Sequence, residues 1–398
     1  MYIYHRQLAG SLSRRQERSI VLRPCEIYTH RALTQQQRLV KPIYWAERPN
    51  LGSIQEPERV GPPPDSLVAD RFIAAHPGRW CGQNNNPDAL TCRPLTTWPR
   101  SINRVVIHTI ANPSMDAIVN RTAAKLGRGT SAHYYVYGDG TIVQMVREAD
   151  VAFHARGHNL DSIGIEHADV CNDPAPYTTS LYERSAELVR DIAEFYGFEI
   201  NDAAVTGHVD LGGHGDPGPY WDWEYYRMLL NWDGVTANSR PIRLVATVAG
   251  LSTIVSGWQV QRRRRISDTR CANRNDPYGA RYWRSRPSAT GTPAVLSLDV
   301  PEPGLYKASL WWPRVSGANS AVPVDIEVVS AFNPSLQTVA VNQRLGSGQW
   351  NDIGRPLEMT VLPARVEVRI RRDTEKSIRG QRDNDWILAD AVRLLRFA

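Results

Sequence analysis

The chain has 398 residues and a formal net charge of +6, and nearly all of its 47 basic residues are arginine. A hydrophobic fraction of 42% and a charged fraction of 22% are typical of soluble globular proteins, so the composition excludes a largely disordered chain. The length allows two or three domains, and the arginine excess fits either an anionic partner or a general coding bias.

The first segment, residues 1–95, is rich in Arg, Gln and Pro and has no sustained hydrophobic periodicity. We therefore expect an extended or partly ordered leader. Met1–Gly10 lacks the apolar core of a signal peptide, which leaves the route of export open. Cys81 and Cys92 bracket a polar loop and could pair in an oxidising compartment, although nothing in the spacing forces this.

From about residue 96 the pattern alternates between strands and helices. Buried strands are predicted at 105–107 and 162–166, and a hairpin is predicted between 132–137 and 142–146. Helices are predicted at 114–126 with Ser114 as the cap, at 225–230, and from a capping box of Ser180 and Glu183 to Gly197. We therefore predict an α/β domain over residues 96–234, with a mixed sheet flanked by helices.

The C-terminal part of the chain changes to short apolar strands separated by Pro, Gly and Asn. Strands are predicted at 294–298, 306–311, 325–329 and 366–370, so we expect an all-β sandwich over residues 268–398. A junction over 235–267, ending in the arginine run 262–265, would join the two domains. Its apolar stretch Leu244–Trp258 is shorter than the roughly 20 residues that cross a bilayer, so we expect a strand or a buried linker there and no membrane span.

Two histidines and an aspartate, distant in the chain, form a candidate zinc site. His108 ends a buried strand, while His208 and Asp216 lie in one glycine-rich loop. Catalytic zinc sites bind three protein ligands, commonly imidazole and carboxylate, and keep one position open for water, whose pKa falls to about 7. From spacing alone, the same residues could also be surface groups or hydrogen-bonded structural groups.

These residues belong to a longer series of ordered motifs. The series comprises Val105–His108, Ser131–Tyr134, Gly138–Gln144, Ala152–Ala155, Ser162–Glu166, Gly207–His208 and Asp216–Pro219. It resembles the zinc-dependent N-acetylmuramoyl-L-alanine amidases, whose fold is shared with bacteriophage T7 lysozyme and the peptidoglycan recognition proteins. The resemblance covers about a third of the chain and implies that His108, His208 and Asp216 bind Zn²⁺.

The resemblance also implies roles for neighbouring residues. Glu166 matches the glutamate that acts as general base or acid, and burial on a strand would raise its pKa toward the working pH. The alternative is a strand-end carboxylate bonded to the backbone. His154 could contact substrate or support the site from outside the ligand set. Many catalytic members carry a lysine where this chain has His214, which could stabilise an oxyanion when protonated or replace Asp216 as ligand.

A second series of ordered motifs lies in the C-terminal part and comprises Gly304–Tyr306, Leu310–Pro313, Val341–Arg344, Gly348–Asn351 and Ile387–Arg393. This series resembles the golvesin C-terminal-like domain, a β-sandwich. Trp312 and Trp350 could be platforms on which sugars stack, but aromatic residues also fill the cores of β-rich domains.

Together these patterns predict an enzyme that hydrolyses the amide between N-acetylmuramic acid and L-alanine in peptidoglycan. We expect a monomer that acts in the cell envelope or outside the cell and binds peptidoglycan but not nucleic acid. The first alternative is a peptidoglycan-binding protein that keeps this fold without turnover. The second is an adhesin whose β-domain carries the function, which would require the proposed zinc ligands to be scattered.

Overall fold

The computed structural model describes residues 62–82, 100–112, 114–124, 129–169, 174–212, 215–232, 240–251, 255–262, 276–279, 281–373 and 385–397. The chain divides into two compact units. Unit 1 comprises Met1–Val170, Pro176–Pro217 and Leu229–Ala237, and unit 2 comprises Cys171–Ala175, Gly218–Met228 and Asn238–Ala398.

Unit 1 is an α/β structure. Its strands are β1 (Arg71–Phe72), β2 (Trp80–Cys81), β3 (Arg104–Thr109), β4 (Tyr134–Val136), β5 (Ile142–Gln144), β6 (Val151–Ala152), β7 (Ser162–His167) and β8 (Val205–Gly207). Its helices are α1 (Met115–Ala123) and α2 (Thr179–Tyr196), with 3₁₀ turns at Pro77–Arg79 and His208–Leu211. Helix α3 (Trp223–Asn231) begins in the part of the chain assigned to unit 2 and ends in the part assigned to unit 1.

The main sheet of unit 1 has the order β1-β5-β4-β7-β3-β8. Only the β4–β5 hairpin is antiparallel, and the other neighbours in this sheet run parallel. The two central strands β3 and β7 are almost entirely buried, as expected for parallel strands covered on both faces. The prediction of a mixed sheet flanked by helices is confirmed.

The helices of unit 1 begin and end where local hydrogen bonds allow. The Ser114 side chain caps α1, as the sequence predicts, by accepting a hydrogen bond from the Ala117 backbone N–H. The capping residue of helix α2 is Thr178, two residues before the predicted cap Ser180, because the Thr178 side chain accepts a hydrogen bond from the Leu181 N–H; Ser180 therefore lies inside the helix. Gly197 ends α2 at φ 74°, a conformation that glycine adopts without strain.

Unit 2 is built from antiparallel strands. They are β9 (Ile242–Thr247), β10 (Gln259–Arg262), β11 (Arg281–Ser285), β12 (Ala294–Val300), β13 (Gly304–Trp311), β14 (Val322–Ser330), β15 (Ser335–Val341), β16 (Asn351–Met359), β17 (Ala364–Ile370), β18 (Ile387–Ala389) and β19 (Ala391–Arg396). Two four-stranded sheets, β12-β17-β14-β15 and β16-β13-β19-β9, contribute to one apolar core, and β10-β11-β18 form a third sheet. The C-terminal all-β prediction is confirmed.

A buried ionic cluster also belongs to unit 2. The Asp222 carboxylate accepts hydrogen bonds from Arg243 Nε and Arg393 Nη1, both at 2.7 Å. Arg243 also bonds the Tyr278 hydroxyl, and Arg393 bonds the Ser309 hydroxyl. Burial alone would raise the pKa of Asp222, but the two guanidinium groups outweigh it and lower that pKa.

Residues 62–82 differ from the expected leader, because they place β1 beside β5 at the edge of the main sheet. In the expected junction, β9 covers the start of the apolar stretch Leu244–Trp258, where a strand was one of the two expectations, and it pairs with β19. The junction also contains β10, which pairs with β11. Cys81 is disulfide-bonded, and the other four cysteines lie outside the described residues. No helix among the described residues is long and apolar enough to cross a membrane.

Candidate metal centre

The candidate site lies where three neighbouring parallel strands end. His108 on β3 is the register partner of Glu166 on β7, so both side chains project from the same face of the sheet. On the other side of β3, Ile107 pairs with Gly207, and His208 follows directly at the start of a 3₁₀ turn. The strand register therefore brings Glu166, His108 and His208 into one row.

The loop after His208 returns to place Asp216 against both imidazoles. A backbone hydrogen bond of 2.7 Å from the Val209 N–H to the Asp216 carbonyl closes this loop. Asp216 Oδ2 lies 3.0 Å from His108 Nδ1, and Asp216 Oδ1 lies 3.2 Å from His208 Nδ1. The sequence prediction that these three residues converge therefore agrees with their positions in the fold.

The donor atoms of these three residues are suited to a metal ion. One ligand atom from each of His108, His208 and Asp216 lies within 4.8 Å of the other two. Both histidines are buried, and the Asp216 side chain is 17% exposed. Two imidazole nitrogens and a carboxylate form a common ligand set for catalytic zinc.

The electrostatics of Asp216 favour its charged form. Burial alone would raise the pKa of this carboxyl, but its hydrogen-bond contacts with the His108 and His208 rings outweigh burial and hold the pKa well below its usual range. A carboxylate that stays ionised at neutral pH can serve as a metal ligand without first losing a proton.

Glu166 has the opposite environment. One of its carboxyl oxygens, Oε2, is buried and has no hydrogen-bond partner. Burial, with a smaller contribution from the charges of Asp216 and Asp169, raises the pKa of Glu166 to about 8. The alternative expectation, a carboxylate that is hydrogen-bonded to the backbone at the end of a strand, does not fit this environment. A carboxyl group with this pKa can exchange protons near neutral pH.

His154 lies directly against His108. Its Nδ1 atom is 3.0 Å from His108 Nε2, on the side of that ring away from Asp216. Its Nε2 atom is 3.3 Å from the Ser162 hydroxyl. Burial, together with the charges of neighbouring histidines, lowers the pKa of His154 well below its usual value, which keeps the ring neutral.

The remaining predicted site residues lie elsewhere or cannot be placed. His214 is outside the described residues. Trp312 is only 2% exposed and packs in the core of unit 2, so the expectation of a sugar platform does not fit its burial. The Trp350 ring is partly buried and contacts Tyr278 and Trp311.

Two residues near the centre were not assigned a role from sequence. Ser162 contacts His154 through its hydroxyl, and Gly164 lies beneath the His154 ring. A Cβ atom on Gly164 would lie 2.4 Å from the Cγ atom of that ring. Glycine in the middle of a buried strand is itself a signal that another group approaches the backbone closely.

Comparisons with known proteins agree with this geometry. Residues 98–219 match the family model for N-acetylmuramoyl-L-alanine amidase, and residues 267–396 match that for the Golvesin C-terminal domain. Over 124 residues the chain is 35% identical to N-acetylmuramoyl-L-alanine amidase A of Achromobacter lyticus, a match that covers 26% of this chain and 70% of that protein.

Another curated relative and one solved structure also match parts of the chain. The chain is 34% identical over 111 residues to 1,6-anhydro-N-acetylmuramyl-L-alanine amidase AmpD of Escherichia coli (strain K12), covering 25% of this chain and 58% of that protein. The structure of N-acetylmuramoyl-L-alanine amidase LysC from Clostridium intestinale URNW aligns with 22% identity and a TM-score of 0.28, over 34% of this chain and 89% of that one.

Fold, donor set and sequence thus agree on the class, an amidase domain followed by a domain rich in antiparallel strands. The chain belongs to the N-acetylmuramoyl-L-alanine amidase family. Both resemblances noted from the sequence motifs are confirmed.

Proposed function

We propose that this protein hydrolyses the amide bond between N-acetylmuramic acid and L-alanine in peptidoglycan, with zinc held by His108, His208 and Asp216. The observation that carries this proposal is the placement of an ionised Asp216 between two buried imidazoles, beside a glutamate whose pKa is raised to about 8. A bound zinc ion would supply a Lewis acid for the amide carbonyl and would acidify water.

The protein's own residues then have distinct tasks. In the metal-free protein each carboxylate oxygen of Asp216 contacts one of the two histidine rings, so the three donor groups are already close together before a metal binds. Glu166 accepts the proton of the attacking water and delivers it to the departing amine of L-alanine. Among the described residues, no protein group donates a hydrogen bond to the Oε2 atom of Glu166, so this oxygen is available to accept the proton of the water.

The raised pKa of Glu166 suits both steps. A carboxyl group with a pKa of about 8 binds the transferred proton more firmly than an exposed glutamate does, yet releases it again to an amine. Zinc would favour the ionised carboxylate and bring this pKa down toward the working pH. His214 could stabilise the oxyanion that forms on the amide carbonyl, as its place in the sequence suggests.

Peptidoglycan lies outside the cytoplasmic membrane, so we also propose that the protein acts in the cell envelope or outside the cell. We further propose that residues 96–234 form the catalytic domain and residues 268–398 an accessory domain, connected through residues 235–267. The two compact units support this division, although residues 218–228 are grouped with unit 2.

The test is a digest of purified peptidoglycan by the zinc-loaded full-length chain, read by mass spectrometry. We expect free stem peptides with an L-alanine amino terminus and glycan strands that keep the lactyl carboxyl group. Glu166→Gln, which keeps the shape of the side chain, is the matched control and should release almost none. Binding without product release would favour the binding-protein alternative, and cleavage at another bond would contradict the proposal.

A further inference from the structure

The two nitrogens of the His108 ring face different partners. Nδ1 lies 3.0 Å from Asp216 Oδ2, and Nε2 lies 3.0 Å from His154 Nδ1. A neutral imidazole carries one proton, so one nitrogen donates and the other offers a lone pair. Only the form with the proton on Nε2 leaves Nδ1 free to bind a metal shared with Asp216.

The Ser162 hydroxyl fixes the direction of the hydrogen bonds. Ser162 Oγ contacts both the His158 carbonyl oxygen and His154 Nε2. A carbonyl oxygen can only accept, so the single hydroxyl proton of Ser162 is directed to His158. Ser162 Oγ must therefore accept a proton from His154 Nε2. The neutral His154 ring then has a bare Nδ1 atom, which accepts the proton of His108 Nε2.

The backbone holds the His154 ring in this position. Asn159 Oδ1 accepts hydrogen bonds from the backbone N–H groups of His154 and Ala155, at 3.1 and 2.7 Å. Beneath the ring, the missing side chain of Gly164 provides the space, since a Cβ atom there would lie 2.5 Å from His154 Nδ1. The ring is confined on several sides and presents Nδ1 to His108.

We propose that Ser162 and His154 are positioning residues that set the tautomer of His108, so that Nε2 keeps the proton and Nδ1 offers its lone pair to the metal. The direction of the hydrogen bonds among His158, Ser162 and His154 follows from these contacts alone, whereas the effect on metal binding rests on the proposed function. Without an acceptor at Nε2, His108 would place its proton on Nδ1, where Asp216 Oδ2 accepts it. That proton would occupy the ligand atom.

A matched pair of variants tests the metal-binding part. Asn and Leu have nearly the same shape, but only Asn offers an oxygen close to the position of His154 Nδ1. We expect His154→Leu to weaken Zn²⁺ binding about 10- to 100-fold, as is typical for groups that orient metal-ligating histidines. His154→Asn should restore most of this loss. The readout is the Zn²⁺ dissociation constant, measured by competition with a chromophoric chelator. Equal affinities of the two variants would overturn the proposal.

Nuclear magnetic resonance of the wild-type chain tests the tautomer directly and does not depend on a variant that folds. The full-length protein is labelled with ¹⁵N at histidine and kept metal-free at a pH where the rings are neutral. We expect His154 to be protonated at Nε2 and bare at Nδ1, and Ser162→Ala to mix the two forms. A wild-type His154 protonated at Nδ1 would refute the proposal.

Neither measurement uses amide hydrolysis, so the proposed amidase function and the positioning role of Ser162 and His154 can be refuted independently. If the tautomer and the Zn²⁺ affinities are as expected but no stem peptide is released, the proposed function fails and the positioning role stands. If stem peptide is released while His154→Leu binds Zn²⁺ as tightly as His154→Asn, only the positioning role fails.

Discussion

Glu166 and His108 are register partners on the neighbouring parallel strands β7 and β3. Adjacent strands lie about 4.8 Å apart, so this register fixes the distance between the proposed proton acceptor and a proposed metal ligand through backbone hydrogen bonds. Neither side chain needs a mobile loop to reach its place. The sheet thus positions this proposed pair, whereas Asp216 is positioned by a returning loop.

Replacing Glu166 by Gln should remove most of the turnover and leave the metal centre intact. The amide keeps the shape but cannot accept a proton from water, so kcat should fall about 10²- to 10⁴-fold. The Zn²⁺ dissociation constant should change little, because Glu166 is not a ligand. Release of stem peptide and chelator competition are the two measurements. A variant that keeps wild-type turnover would remove Glu166 from the mechanism.

The same variant should also change how stability depends on pH. In the metal-free protein the pKa of Glu166 is about 8, against 4.5 for an unperturbed glutamate. Between these values the folded state binds a proton that the unfolded state has lost, so the wild-type free energy of unfolding falls as pH rises. Glu166→Gln has no carboxyl group at this position, so this contribution to the fall in the free energy of unfolding should be absent.

Urea denaturation of the metal-free chain at pH 5 and pH 8 measures the effect. The stability advantage of Glu166→Gln over wild type should be larger at pH 8. Glu199→Gln makes the same substitution at an exposed position of unit 1 and serves as the control. A pH-independent difference for Glu166→Gln would contradict the pKa assigned to this carboxyl.

Gly164→Ala should displace the His154 ring. The added methyl group would lie 2.4 to 2.8 Å from three ring atoms, so the ring or strand β7 must shift. We expect a loss of about 1–3 kcal/mol in the free energy of unfolding, together with weaker Zn²⁺ binding. Gly250→Ala is the control, because the nearest atom to its added Cβ is 3.8 Å away. Unchanged Zn²⁺ affinity in Gly164→Ala would show that the packing of the His154 ring over Gly164 does not affect the metal site.

Asp222→Asn should strongly destabilise unit 2. It removes a carboxylate that is 1% exposed and pairs with both Arg243 and Arg393, while Arg393 keeps its ion pair with Glu224. Removing one partner of a buried ion pair typically costs about 3–5 kcal/mol. Asp299→Asn breaks an ion pair of the same length with Arg365 at an exposed position and should have little effect. Denaturant unfolding compares the two variants, and equal losses would disprove the buried-pair argument.

Much of the candidate metal centre could be predicted from the sequence, because His108 and Glu166 lie one residue before the ends of two buried strands, and these strands pair in parallel. The contact of His154 with His108 could not, since it depends on a loop packing its ring over Gly164. The start of α2 was predicted wrongly because Thr178 and Ser180 are both good caps, and only the fold selects between them. Strand β1 was missed because two residues at a sheet edge give no periodic signal.

In the proposed centre, three protein ligands share one metal ion and no protein atom fills a fourth position. X-ray absorption spectroscopy of the zinc-loaded full-length chain reports this coordination, with the metal content measured on the same sample. We predict one zinc per chain, bound by two imidazole nitrogens and one carboxylate. A third imidazole in the coordination sphere, which His214 could supply, or zinc that stays bound after Asp216→Asn and His208→Ala together, would contradict the account.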